Sequence, residues 1–308
     1  AFTSNETGEV NDYHRHRLFV LDISPGASTG PIPIDCRPGS KFNPRWSPDG
    51  QYIAFEAPLQ PDLSYSQEAI WTVPVAGGEP VNLFADTHYD AEEMIWSSDG
   101  AIYCQAADRT ATTLLRIRDG GIEPLTNAPD ACEGLSANEH GVAFIRENGQ
   151  MLPEVCLLRP DGRLQSLTEF GKSFLEKQLL PEFETVSWQC EGFEIEGVML
   201  KPPGYTPGHR LPLLVQLHGG PKANATCTLR GYYASSVWAC EGYLVLLPNF
   251  RGSSGYGNDF AVANRRDLGG GDLRDVLAGV ELLVEKGLAD AERLAVMGAS
   301  YGGFLVNA

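Results

Sequence analysis

The sequence is short of positive charge: 23 lysines and arginines stand against 40 aspartates and glutamates, a formal net charge of −17. A phosphate backbone is gripped by a basic face, so neither nucleic acid nor an anionic membrane is an expected partner. No apolar run reaches the roughly 18 residues that a membrane-crossing helix needs. The seven cysteines, at 36, 104, 132, 156, 190, 227 and 240, contain no C-x-x-C pair and are odd in number. Free thiols in a reducing, cytoplasmic compartment are therefore expected ahead of a disulfide or zinc framework, and no metal or cofactor is expected. The opening Ala1-Phe-Thr-Ser-Asn-Glu6 has neither a methionine nor a signal-peptide pattern, which leaves a preceding targeting segment open. Two N-x-[S/T] sequons, at Asn5 and Asn224, are no more than chance supplies. Histidine is scarce, and none follows His218.

What is present is an ordinary globular composition, 43% hydrophobic and 20% charged, on a chain of 308 residues that suits two domains. The first half repeats. Arg45-Trp-Ser-Pro-Asp-Gly50 followed by Gln51-Tyr-Ile-Ala-Phe55 is a strand, a tight turn and an alternating strand; Ile95-Trp-Ser-Ser-Asp-Gly100 followed by Ala101-Ile-Tyr103 repeats it, and Leu135–Ile145 is a looser copy. Asp-Gly between apolar runs signals a hairpin, because glycine supplies the positive φ of the turn. A second hairpin follows each first one, with its turn at Gly77-Gly78, Gly120-Gly121 and Gly162, about every 42 residues. That period lies within the ~40–50 residues of a propeller blade. Three modules of four strands (42–85, 91–128 and 132–170) and a half-module at 17–37 predict a partial β-propeller over 1–180. Three and a half blades do not close a ring, so further blades are expected before residue 1. A sandwich of unrelated hairpins is the alternative, and the regular period disfavours it.

After Pro181 strands alternate with helices, which predicts a parallel sheet covered on both faces: an α/β-hydrolase domain over 181–308, without its C-terminal part. Phe193–Lys201 alternates as a strand, while Leu211–Leu217 and Tyr243–Leu247 are near-continuous apolar runs of buried strands. Residues 229–241 suit a helix. Over 272–286, Leu273, Val276, Leu277, Val280, Leu283 and Val284 share one helical face, with Asp272 and Asp275 in the first turn, where carboxylates complement the helix dipole.

The chemistry concentrates where strands end. Arg293–Met297 leads into Gly298-Ala-Ser300-Tyr-Gly302, the G-x-S-x-G nucleophile elbow, in which glycines relieve the crowding around a serine on a strained strand-to-helix turn. His218-Gly-Gly220-Pro221 follows the strand 211–217, and such a glycine turn supplies a backbone N–H for a developing oxyanion, the other coming from the residue after the nucleophile, Tyr301. His218 itself is not the expected base, because in this fold the base follows the nucleophile; it is expected to brace the turn. Asn249-Phe-Arg251-Gly-Ser-Ser-Gly-Tyr-Gly257 lies at a third strand end, with Arg251 either contacting substrate or braced internally.

HGGP at 218–221, NFRGSSGYG at 249–257, the G-x-x-D pair around Gly269–Asp275 and GASYGG at 298–303, in this order behind the repeats, resemble the prolyl oligopeptidase family of serine peptidases, in particular its acylaminoacyl-peptidase and dipeptidyl-peptidase branches. The resemblance covers most of the chain, loosely in its first half. It implies a cytosolic or secreted oligopeptidase whose propeller admits only short peptides, with Ser300 as nucleophile and the N–H groups of Tyr301 and Gly220 as oxyanion hole. Ala299 stands where the family commonly has glycine. The family's Asp and His are expected beyond residue 308, so the 1–308 polypeptide alone is expected to be inactive and poorly folded. Some members hold a peptide's free N-terminus with paired glutamates; Glu92-Glu93 match Asn43-Pro44 of the preceding module, so an ordinary start of a blade is expected there. Short peptides are the expected partners, and homo-oligomer formation stays open. A carboxylesterase with the same elbow is the alternative function, disfavoured by HGGP and the repeats; a catalytically incomplete binding module is another.

Overall fold

The computed structural model describes residues 1–308 apart from Glu6, Val10, Asn11, Tyr13, His14, Asp35, Ser64, Ala128 and Tyr232. Asp35, Ser64, Ala128 and Tyr232 fall inside modules or a helix expected from the sequence and lie outside the described residues. The chain opens with three antiparallel strands, β1 (Phe2–Ser4), β2 (Arg17–Val20) and β3 (Ile32–Pro33). Three four-stranded antiparallel sheets follow, each in simple sequence order. The first contains β4 (Phe42–Trp46), β5 (Tyr52–Pro58), β6 (Glu68–Pro74) and β7 (Val81–Asn82); the second β8 (Asp90–Trp96), β9 (Ile102–Asp108), β10 (Ala111–Arg118) and β11 (Gly121–Pro124). The third contains β12 (Ala131–Asn138), β13 (Gly141–Asn148), β14 (Met151–Leu158) and β15 (Leu164–Ser166).

The Asp-Gly turns are built alike. Gly50 donates its N–H to the Ser47 carbonyl at 2.9 Å with φ +69°, and Gly100 donates to the Ser97 carbonyl at 3.0 Å with φ +85°. In each the aspartate, Asp49 or Asp99, accepts the backbone N–H two residues on. Alternation along the strands then buries both faces. Ile53, Phe55 and Ala57 of β5 pack toward Leu18 and Ile34, whereas Ala54 faces Met94, Ile102 and Cys104 of the next sheet. Tyr103 and Leu114 turn the other way, onto Cys132, Val142 and Phe144. One apolar core thus lies between each pair of successive sheets. None of the seven cysteines, all among the described residues, is joined in a disulfide, and Cys240 is exposed.

A short helix α1 (Lys172–Leu175) leads to a five-stranded mixed sheet. Its strands are β16 (Glu182–Cys190), β17 (Phe193–Lys201), β18 (Leu211–Leu217), β19 (Leu244–Asn249) and β20 (Ala289–Gly298), in the order β16-β17-β19-β18-β20. β18 pairs in parallel with β19 and β20, and β16 and β17 form an antiparallel hairpin at one edge. The helices are α2 (Ser235–Cys240), α3 (Asn258–Ala261), α4 (Gly271–Glu285) and α5 (Tyr301–Val306). Val276 and Leu283 of α4 and Leu305 of α5 bury against Leu213, Val215, Leu217 and Leu246.

Three expectations need correction, and one strand is additional. The first sheet has three strands beginning at Phe2, not a half-module starting at 17. The helix expected over 229–241 is confined to Ser235–Cys240, since the preceding loop is held by other segments. Leu277 is exposed, because Trp188 and not a wider apolar stripe covers the middle of α4: a Cβ on Gly279 would lie 2.7 Å from the Trp188 ring. Strand β16, not anticipated although Val186, Trp188 and Cys190 alternate along it, pairs with β17 along its whole length and buries Val186 and Trp188. Glu92 and Glu93 lie inside β8, at a register shift between Ala91 and Glu93 that matches the shift between Phe42 and Arg45 in β4.

Glu56 on β5 is 6% exposed, with one oxygen accepting from Asn43 Nδ2 at 2.7 Å and the other, Oε1, without a partner. Burial, against the opposing Asn43 hydrogen bond, raises its carboxyl from 4.5 to about 7. The folded chain therefore binds the proton more tightly than the unfolded chain, and stability declines as pH rises from 4.5 through 7. Glu56→Gln keeps the shape without the charge; urea denaturation should find it more stable than the parent by about 3 kcal/mol at pH 8, with the gap closing toward pH 4.5.

Candidate active site

Strand β20 ends at Gly298 and helix α5 begins at Tyr301, so the chain must reverse between them with Ser300 at the apex. Ser300 has φ 54° and ψ −123°, a combination costing a non-glycine residue about 1–3 kcal/mol. What maintains it is backbone contact on both sides. A Cβ on Gly302 would lie 2.1 Å from the Leu217 carbonyl oxygen, and one on Gly298 would lie 2.6 Å from the carbonyl of Gly302. Larger residues at either position would push α5 off β18.

The glycine turn after β18 meets the apex. A Cβ on Gly219 would lie 3.3 Å from Ser300 Cβ and 3.8 Å from Oγ, which makes Gly219 the turn residue packed on the serine. Gly220 follows with φ +124° and a cis bond to Pro221. His218 is stacked on Phe250, ring centroids 4.4 Å apart; its Nδ1 lies 2.7 Å from the Gly219 carbonyl oxygen and its Nε2 3.0 Å from Ser253 Oγ. Burial pushes the imidazole down to about 4, so it is neutral across the physiological range. Both nitrogens are committed to the turn and the 249–257 loop, the bracing arrangement expected of it.

Two contacts escaped the sequence. Tyr233, in the loop before α2, accepts the Ala299 N–H on its hydroxyl at 2.8 Å and thereby touches the residue preceding Ser300. The Tyr301 hydroxyl donates to Asp272 of α4, which is fully buried; burial, then this hydrogen bond, holds the phenol above its usual value. In the sequence Tyr233 is one aromatic within the segment read as a helix, and Asp272 an acid in a first turn. Between His218 and Tyr233 on one side and the second and third four-stranded sheets on the other lies a cavity of about 580 Å³, also lined by Arg230, Glu92, Gln105 and Glu147. Arg230 closes one side, donating to Glu133 at 2.9 Å and Glu147 at 2.7 Å.

Arg251 is turned away from this cavity. Its guanidinium makes a fork onto Asp275 (Nε 2.8 Å, Nη2 2.6 Å), reaches Glu191 at 3.0 Å, and its own backbone N–H donates to Asp275 at 2.9 Å. A Cβ at position 271 would lie 2.6 Å from Nη1, so Gly271 leaves the guanidinium its space. Of the two alternatives for Arg251, the geometry supports the internal brace and gives none for substrate contact. Asp275 is likewise the partner of this arginine and not merely a dipole companion. The rest of the 249–257 loop is also structural: buried Asn249 bonds the backbone of Ala225 and the Tyr256 hydroxyl, and Gly255 accepts the Arg109 N–H through its carbonyl at 3.1 Å.

Arg251→Met would strand Asp275, which has no exposed surface, and should cost about 3–5 kcal/mol in urea denaturation. Arg251→Met with Asp275→Leu should recover most of that loss.

Residues 231–308 match the profile of the prolyl oligopeptidase family. Among curated proteins, the chain is 24% identical over 269 residues to dipeptidyl-peptidase 5 of Porphyromonas gingivalis, covering 85% of this chain and 39% of that one. It is 23% identical over 303 residues to the acylamino-acid-releasing enzyme of Sus scrofa, covering 95% of this chain and 35% of that one. Among solved structures, the acylaminoacyl peptidase of Pyrococcus horikoshii superposes with a TM-score of 0.80 at 22% identity, over 96% of this chain and 45% of that one. The chain thus spans less than half the length of each. The match to the prolyl oligopeptidase family lies in residues 231–308, and the full chain is similar to dipeptidyl-peptidases and acylaminoacyl peptidases over most of its length.

Proposed function

We propose that the protein is a serine peptidase that hydrolyses short peptides, releasing acylaminoacyl or dipeptidyl units through an acyl-enzyme on Ser300. The observation that carries this reading is the strained Ser300 apex packed against the Gly219 turn beside a cavity of peptide-accommodating size. In the proposed reaction Ser300 Oγ forms a bond to the scissile carbonyl carbon while its proton passes to a base. The N–H groups of Tyr301 and Gly220 accommodate the negative charge on the carbonyl oxygen. The C–N bond then breaks, the leaving amine takes the proton, and water releases the acyl group by the same steps. With His218 committed to Gly219 and Ser253, the proposal takes the base from outside residues 1–308.

The same reading assigns 1–180 to part of a β-propeller and 181–308 to part of an α/β-hydrolase domain. It is supported by the successive four-stranded sheets, whose first strands β4, β8 and β12 adjoin one another, and by the change to a mixed sheet at β16. The cavity between the two parts would admit chains and not folded proteins, which fits the activities named for the relatives.

Kinetics with acylaminoacyl and dipeptidyl anilides beside simple esters test the proposal. Anilide hydrolysis that falls at least about 10³-fold in Ser300→Ala is expected. Ester hydrolysis without anilide hydrolysis would make the protein a carboxylesterase instead.

A further inference from the structure

The segment that leaves the glycine turn is fastened to the antiparallel sheets. Lys222, two residues after Gly220, sends its ammonium out of the mixed-sheet region to the edge of the first two four-stranded sheets. There it donates to the Ser66 carbonyl at 2.8 Å and lies 3.3 Å from Asp90 Oδ1 and 3.5 Å from Glu68 Oε1. Asp90 is 3% exposed, and its Oδ1 also accepts the Glu68 N–H at 3.0 Å, so the acceptor side is fixed by backbone. Burial raises the carboxyls of Asp90 and Glu68, and the lysine is the first influence opposing it at each. Glu92 adds negative charge from β8, and Arg37 contributes positive charge on the Glu68 side.

The other end of this tether is the turn itself. The Lys222 backbone folds back on Gly220, where a Cβ would lie 2.5 Å from Lys222 N and 3.0 Å from its carbonyl carbon. Gly219, one residue earlier, is the residue packed on Ser300. Ala223 and Asn224 continue the attachment: Ala223 accepts the Ser254 N–H at 2.9 Å, and Asn224 Nδ2 donates to the carbonyls of Arg109 and Ala111 at 2.8 and 3.0 Å. A displacement of the ammonium therefore has a short, close-packed route to the place where an oxyanion would form.

We propose that Lys222 is a positioning residue: its ammonium, held by the Ser66 carbonyl and Asp90, fixes the 218–221 turn against Ser300, so that the antiparallel sheets set the geometry of oxyanion stabilisation. This rests on the reading of Ser300 as nucleophile and of the turn as oxyanion site. Loss of the tether should weaken binding of the transition state and leave binding of the ground state nearly unchanged.

The test uses the complete protein that carries this chain, with Lys222→Met, Lys222→Arg and Asp90→Asn, and measures kcat and KM on a peptide anilide together with the inhibition constant of a peptide aldehyde, whose hemiacetal places an oxygen in the same site. Lys222→Met should lower kcat by about 10- to 100-fold, the scale of a misplaced catalytic group. KM should stay within about threefold, aldehyde affinity should fall in step with kcat, and Lys222→Arg should restore most of both. Asp90→Asn, which keeps the shape of the acceptor, should show a smaller loss of the same kind and provides the reading if Lys222→Met does not fold. Unchanged kcat in folded Lys222→Met would overturn the proposal; so would a loss confined to KM, or a lower kcat with undiminished aldehyde affinity. A parent protein whose turnover does not depend on Ser300 would instead refute the functional reading on which the proposal rests.

Discussion

The site depends on one close approach of backbone to backbone: the start of α5 against the end of β18. The Leu217 carbonyl stands where a side chain at 302 would have to go, and the Gly302 carbonyl stands where one at 298 would have to go. With both positions glycine, helix and strand close together and the two residues between them can only reverse with Ser300 in a disfavoured conformation. The strain is local, and its cost is met by the apolar core beneath, where Leu217 and Leu305 are almost fully buried with Leu213, Val215 and Leu246. Rigid support of this kind is what a nucleophile needs if its hydroxyl is to stand clear of its own chain.

Around that contact the structure uses polar and charged pairs to fix loops, and where such a pair is buried, removing one partner is expensive. Arg251 and Asp275 tie the loop after β19 to α4; Tyr301 and Asp272 tie α5 to the same helix. Lys222 with Asp90, Arg109 with Glu196, and Arg230 with Glu133 and Glu147 tie the mixed sheet to the antiparallel sheets. The last three differ in weight. Arg109 and Arg230 are about half exposed and are screened by water, whereas Lys222 and Asp90 are largely buried. The buried pair is also the one next to the glycine turn.

Much of this was legible in the sequence wherever the determinant is local. The Asp-Gly hairpins, the apolar runs of β18 and β19, the helix at 271–285 and the elbow all follow from residues within a few positions of each other. Long-range determinants were not. β16 pairs with β17 and turns Val186 and Trp188 into a core shared with α4, and the helix before β19 is shortened because the loop ahead of it is drawn to other segments: Tyr233 to Ala299, Arg230 to Glu133 and Glu147. Asp272 and Asp275 read as companions of the helix dipole, yet their partners, Tyr301 and Arg251, come from chain segments about two dozen residues or more away. The turn at 218–221 was recognised, but which of its glycines packs on the serine depends on where α5 sits, and that is a tertiary fact.

The central claim is that Ser300 is the reactive residue, raised out of its chain by the glycine contacts around it. Treating the complete protein with a fluorophosphonate and mapping the adduct by peptide mass spectrometry tests this directly. The account predicts a single phosphonylated residue, Ser300, with hydrolysis lost in proportion to labelling. An adduct on another residue, or peptide hydrolysis that persists when Ser300 is fully modified, would contradict it.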